Sequence, residues 1–98
     1  MYLSILTGRV TQENWMPLEH SFRQEVTKRP PHGLMESFLV QSEDEPTSWQ
    51  VVSIWATKAD YKAFEPTEKA DVFVELLCHE GTVPHRTGYV TVGRYERV

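Results

Sequence analysis

The chain has 98 residues, a formal net charge of −4, 40% hydrophobic residues and 11% aromatic residues. That length predicts one domain over residues 1–98, and so apolar a composition excludes a disordered chain. With no basic stripe, no membrane-length apolar run and no basic leader ahead of its first strand, the sequence reads as a cytoplasmic protein that binds neither nucleic acid nor membrane.

Tyr2 to Val10 is rich in β-forming residues and predicts the first strand. Thr11 to Asn14 offers helix-starting residues, and Trp15, Leu18, Phe22 and Val26 then share one helical face. Pro17 is acceptable in a first turn, where its missing N–H has no partner to lose, so the regular helix begins near Asn14. It ends by Arg29, ahead of Pro30 and Pro31. Leu34 to Gln41 predicts strand two, residues 42–48 have turn chemistry, and Trp49 to Trp55 predicts strand three, the second arm of an antiparallel hairpin. Thr57 and Asp60 stand at capping-box spacing at the start of a short helix over 58–64. A further helix is expected from after Thr67 to about His79, burying Ala70, Phe73, Leu76 and Leu77, with Gly81 as its C-cap. Pro84, His85 and Arg86 read as a loop, and Gly88 to Glu96 as the last strand.

This order predicts an α+β fold of the ferredoxin-like kind, an antiparallel sheet with helices on one face. Strand three carries Trp49, Val51, Ser53 and Trp55 on one side and Gln50, Val52 and Ile54 on the other, so both of its faces are apolar. The helices cover one face. The other would be a large exposed apolar patch on a chain too short to be more than marginally stable alone. A homodimer packed sheet to sheet answers both difficulties.

The apolar first strand, the helix from Trp15 to Val26, the turn through Pro31, His32 and Gly33, the strand ending at Ile54 and Trp55, and the run Ala59 to Phe64 resemble the antibiotic biosynthesis monooxygenase (ABM) domain over nearly the whole chain. The resemblance implies a dimeric α+β barrel with a pocket in each subunit between helices and sheet. Members of that family include cofactor-free monooxygenases of phenols and quinols, haem-degrading oxygenases and isomerases of small metabolites. The run Lys69 to Phe73 is similar to the haem-degrading branch, but that branch uses an Asn, a Trp and an axial His where Gly8, Phe64 and Leu77 stand here. Leucine cannot ligate iron, which disfavours haem degradation. Other members often place a His before the Phe of the last helix, where this chain has Val72.

Cofactor-free oxygenation needs an apolar pocket, a group to take a proton and a donor to hold the phenolate. On that reading Trp15, Phe22, Trp55, Phe64 and Phe73 are expected to bind a small aromatic ligand, although each ring also serves as ordinary core. His79 is the candidate base and Tyr61 the candidate phenolate donor. A histidine in a last helical turn is also favoured by the helix dipole alone, and Tyr61 also suits the rim of a pocket. His20 falls on the solvent side of the first helix, and His32 and His85 fall in turns. The single cysteine, Cys78, permits no internal disulfide and no cysteine zinc framework. No cofactor and no metal are expected. An isomerase on the same fold, and a non-catalytic module for ligand binding or dimerisation, are the alternatives.

Overall fold

Along β1 (Tyr2–Arg9), Tyr2, Ser4, Leu6 and Gly8 are buried while Leu3, Ile5 and Thr7 are only partly covered. This two-residue period belongs to a strand packed on one side. The computed structural model describes residues 1–64 and 84–97. Within them β2 (Leu34–Gln41), β3 (Ser48–Trp55) and β4 (His85–Val90) join β1 in an antiparallel sheet of order β2-β3-β1-β4.

Two helices cover the face that Tyr2, Ser4 and Leu6 share. From α1 (Trp15–Thr27), Leu18 packs fully buried against Leu6, Val10, Trp49 and Val51. From α2 (Lys58–Phe64), Tyr61 packs against Tyr2 and Trp55. This is the ferredoxin-like α+β arrangement, with the described helices on one face of the sheet. The expected helix of residues 67–79, with Phe73, Cys78 and His79, lies outside the described residues.

A 3-10 turn (Gln12–Asn14) leads into α1, so Pro17 falls in the first turn of the α-helix, where its missing donor has no intrahelical acceptor. The expected apolar face of this helix holds for its first half only. Leu18 is buried and Trp15 and Phe22 are half-buried, but Val26 is 55% exposed. The hairpin between β2 and β3 forms as expected, with Ser48 joining β3 so that residues 42–47 make the loop. The Ser42 N–H donates to Ser48 O at 2.9 Å and closes it.

The last strand is displaced from its expected span of Gly88 to Glu96. His85 and Arg86 belong to β4, where His85 pairs with Thr7 and Arg86 with Leu6. The strand stops at Val90 because its partner runs out: Val90 faces Tyr2, and the Thr91 N–H reaches Met1 O. Alternation in the sequence continues beyond that point, but a strand needs a ladder as well as a pattern.

The second face of the sheet holds Leu3 and Ile5 from β1, Val52 and Ile54 from β3, Phe38 and Val40 from β2, and Tyr89 from β4. Phe38, Val40 and Tyr89 are 45%, 40% and 52% exposed, and no described element covers them.

Gly88 sits diagonally across from Tyr2 on the helix-covered face. A Cβ at Gly88 would overlap the Tyr2 hydroxyl and lie 2.6 Å from its ring carbon Cζ. Tyr2 is buried and its ring stacks on Tyr61 at 5.2 Å between centroids, so it has little room to withdraw. Gly88→Ala is therefore expected to destabilise the fold by about 1–3 kcal/mol, the range for overpacking against a buried side chain. Urea denaturation checks this; an unchanged midpoint would mean that the Tyr2 ring yields freely.

Candidate functional site

The register of the four strands lays side chains out in rows across the helix-covered face. Leu39, Val51, Leu6 and Arg86 form one row. Leu34, Trp55, Tyr2 and Val90 form another. Between them runs Ser37, Ser53, Ser4 and Gly88, a row of small residues. Tall side chains, apolar but for Arg86, thus flank a low strip of small residues.

A cavity of about 340 Å³ lies over this strip. That volume falls within the usual range for small-molecule sites. Its floor is Ser4, Leu6, Val51, Ser53 and Trp55. Phe22, Glu25 and Val26 of α1 form one wall, and Tyr61 and Phe64 of α2 another. The segment Lys28 to Pro31 and the start of β2 edge the mouth, and Arg86 enters from β4.

Each wall has a local cause. The Thr57 hydroxyl accepts the Asp60 N–H at 3.1 Å, as the capping spacing predicts. The Asp60 carboxylate does not complete the reciprocal half of the box. It lies against Gly33, whose φ of +84° and missing Cβ leave room for it, and stands 3.7 Å from His32 Nε2. The Ala56 N–H donates to Gly33 O at 2.8 Å. These contacts tie the start of α2 to the turn before β2 and so aim Tyr61 and Phe64 over Trp55. The Trp55 ring meets Tyr61 edge-on at 5.7 Å and Phe64 at 5.1 Å, within the range of favourable aromatic pairs.

The strip itself is hydrogen-bonded. Trp55 Nε1 donates to Ser4 Oγ at 3.1 Å in a buried contact, and the Ser37 and Ser53 hydroxyls meet at 3.0 Å. At the rim, Lys28 Nζ pairs with Glu25 at 2.8 Å.

Among the residues expected at a site, Phe22, Trp55, Tyr61 and Phe64 come together around this cavity. Trp15 stands elsewhere: its Nε1 donates to Val10 O at 2.8 Å and its ring packs on Trp49 at 6.1 Å. Phe73 and His79 lie outside the described residues. His85, expected in a turn, is on the exposed side of β4. Sequence reasoning missed the serines and Arg86. The available signal was a serine in each of three apolar strands at a position of core phase. Among the described residues no three His, Cys, Asp or Glu side chains gather as a metal site requires, and no helix there is long and apolar enough to cross a membrane.

The fold is that of solved ABM proteins. A candidate antibiotic biosynthesis monooxygenase from Deinococcus radiodurans superposes with a TM-score of 0.74 at 13% identity, covering 100% of this chain and 99% of that one. SnoaB, a cofactor-independent oxygenase from Streptomyces nogalater, gives 0.72 at 11% identity over 98% and 97%. A variant of MhuD with two manganese protoporphyrin IX molecules in each active site gives 0.76 at 12% identity over 99% and 100%. At such identities the likeness establishes the fold and leaves the chemistry open. No protein-family model matches the chain, and no curated protein matches it by sequence.

Ser4→Ala removes the acceptor of a buried indole N–H and is expected to destabilise the protein by about 1–3 kcal/mol. In a double-mutant cycle, combining it with Trp55→Phe should show clear coupling, because the second change removes the stranded donor. Additive losses would mean that the Ser4–Trp55 bond carries no weight.

Proposed function

We propose that the protein is a cofactor-independent monooxygenase of a small aromatic phenol or quinol, working as a homodimer. The observation that supports this best is the cavity of about 340 Å³ lined by Phe22, Trp55, Tyr61 and Phe64 with a hydroxyl-bearing floor. Solved ABM-fold neighbours include an oxygenase that needs no cofactor, which is consistent with the reading.

The chemistry asks little of the protein. A phenol loses its proton to a base, and the electron-rich anion reduces O2 directly. One oxygen atom is kept as the new carbonyl of a quinone, and the other leaves as water with the two hydrogens that the phenol gives up. The substrate supplies all four electrons. Tyr61, buried at the cavity wall, is our candidate to hold the phenolate oxygen. His79 is our candidate base on sequence grounds. The aromatic walls supply ring contact and exclude water, which strengthens the interaction between the anion and its donor.

The apolar outer face of the sheet supports the homodimer. A patch holding Leu3, Ile5, Phe38, Val52 and Ile54 resembles an interface more than a solvated surface. In sedimentation equilibrium at micromolar concentration we expect a two-chain species, and Phe38→Glu should shift it to single chains by burying a charge in the contact. A stable single chain in the unmodified protein would remove the dimer from this proposal.

The oxygenase reading is tested by oxygen uptake with a panel of phenols, quinols and anthrones. The expected result is one O2 consumed per quinone formed, with no added cofactor and no hydrogen peroxide. Tyr61→Phe is expected to lower kcat by roughly 10²-fold, the scale for losing one oxyanion donor. Ligand binding without oxygen uptake across the panel would overturn the oxygenase and leave a binding module.

A further inference from the structure

The cavity floor carries serine hydroxyls, and Arg86, which enters from β4, is a cation with no partner among the described residues. Arg86 pairs across the ladder with Leu6, so its side chain rises from the helix-covered face, and it lines the cavity. It is half-buried, and among the described residues its guanidinium makes no ion pair and no hydrogen bond. Glu25, the acid on the α1 wall, is already engaged by Lys28. The Arg86 guanidinium offers a planar fork of N–H donors and no acceptor, so what it calls for is an acceptor.

The hydroxyls of the floor favour the same kind of partner. Ser4 lies diagonally across from Arg86, one row along on the neighbouring strand. Its Oγ accepts from the Trp55 indole, which leaves its own proton to give. In the Ser37–Ser53 pair one hydroxyl donates to the other, and the acceptor's proton remains to be given. A planar fork with the Ser4 hydroxyl donor diagonally across from it matches a carboxylate, which accepts at both oxygens.

We propose that the cavity binds a ring compound bearing a carboxylate, with the carboxylate on Arg86 and Ser4 and the ring against Trp55 and Phe64. Arg86 is then the residue that selects charged over neutral ligands. The proposal rests on the same cavity as the oxygenase reading and narrows its substrate class. Its test reads binding rather than turnover, so the two fail separately.

The probes are 2-naphthoate and its neutral isostere 2-naphthamide, titrated calorimetrically into the intact protein at low salt. The unmodified protein should bind naphthoate at least about tenfold more tightly than the amide, as a charge-assisted contact would give. The chain's net charge of −4 works against any nonspecific attraction of the anion, so the preference must come from the site. Arg86→Gln should abolish the preference by weakening naphthoate while leaving the amide within about twofold. Arg86→Lys should restore part of it, since a lysine keeps the charge and loses the fork. Equal binding of both probes, or no binding of either at millimolar concentration, would overturn the proposal. So would a preference that survives in Arg86→Gln. Should Arg86→Gln fail to fold, the ratio in the unmodified protein and in Arg86→Lys decides.

Discussion

Everything at the candidate site depends on one row of small residues crossing the sheet. Side chains on one face of a sheet repeat every second residue along a strand, and a row across four strands normally alternates bulk to fill the space under the helices. Here Ser37, Ser53, Ser4 and Gly88 fall in one register row. No described side chain from the helices fills the strip over the three serines. At the Gly88 end the trough is closed by the Tyr2 ring, whose hydroxyl lies where a Cβ would be. At the other end Met35 stands at the register irregularity of β2, 54% exposed at the cavity edge. The cavity is thus a packing defect with a fixed address, and its hydroxyls are held in place by the Trp55–Ser4 and Ser37–Ser53 bonds.

The strip also divides the core. Leu6, Val10, Leu18, Trp49 and Val51 form one buried cluster, and Tyr2, Trp55 and Tyr61 form a second. The first half of α1 is clamped to the first cluster through Leu18 and through Trp15, whose indole is tied to Val10 O. The second half reaches past the end of that cluster. This explains why Val26, in phase with Leu18 and Phe22, is half open to solvent: its face looks onto the cavity. The same apolar period serves packing at one end of the helix and a ligand wall at the other.

These relations determine what could be read from residues alone. The spacing of Trp15, Leu18 and Phe22, the turn residues between strands, and the cap at Thr57 and Asp60 are local signals, and each led to an element that the structure contains. The end of β4 was not legible, because it depends on where the partner strand β1 begins. The serine row was invisible for the same reason. Ser4, Ser37 and Ser53 are far apart in the chain, and only the register of two ladders brings them side by side. Trp15 shows the converse. As an aromatic on the buried face of α1 it had the pattern of a pocket residue, and nothing in its spacing could show that its indole is held by the backbone five residues earlier. The aromatic walls were legible because burial and pocket lining call for the same residues, whereas the polar floor runs against the expectation that the middle of a strand face is apolar.

The two faces of the sheet make opposite demands on the same strands. Behind the serine row the outer face carries Leu3, Ile5, Phe38, Val52 and Ile54, the most apolar part of that surface. In the proposed pairing of two sheets those residues would be covered, and the strands that bear the cavity floor would be braced from behind. A trough floored by small side chains has little packing of its own to resist bending, since each serine contributes few dispersion contacts. Rigidity would then reach the site through the backbone of β1 and β3, from contacts on the face away from the ligand. On this argument an outer-face substitution would act on the cavity by loosening the ladder that holds Ser4 opposite Ser53, and it would weaken ligand binding without touching a single lining residue.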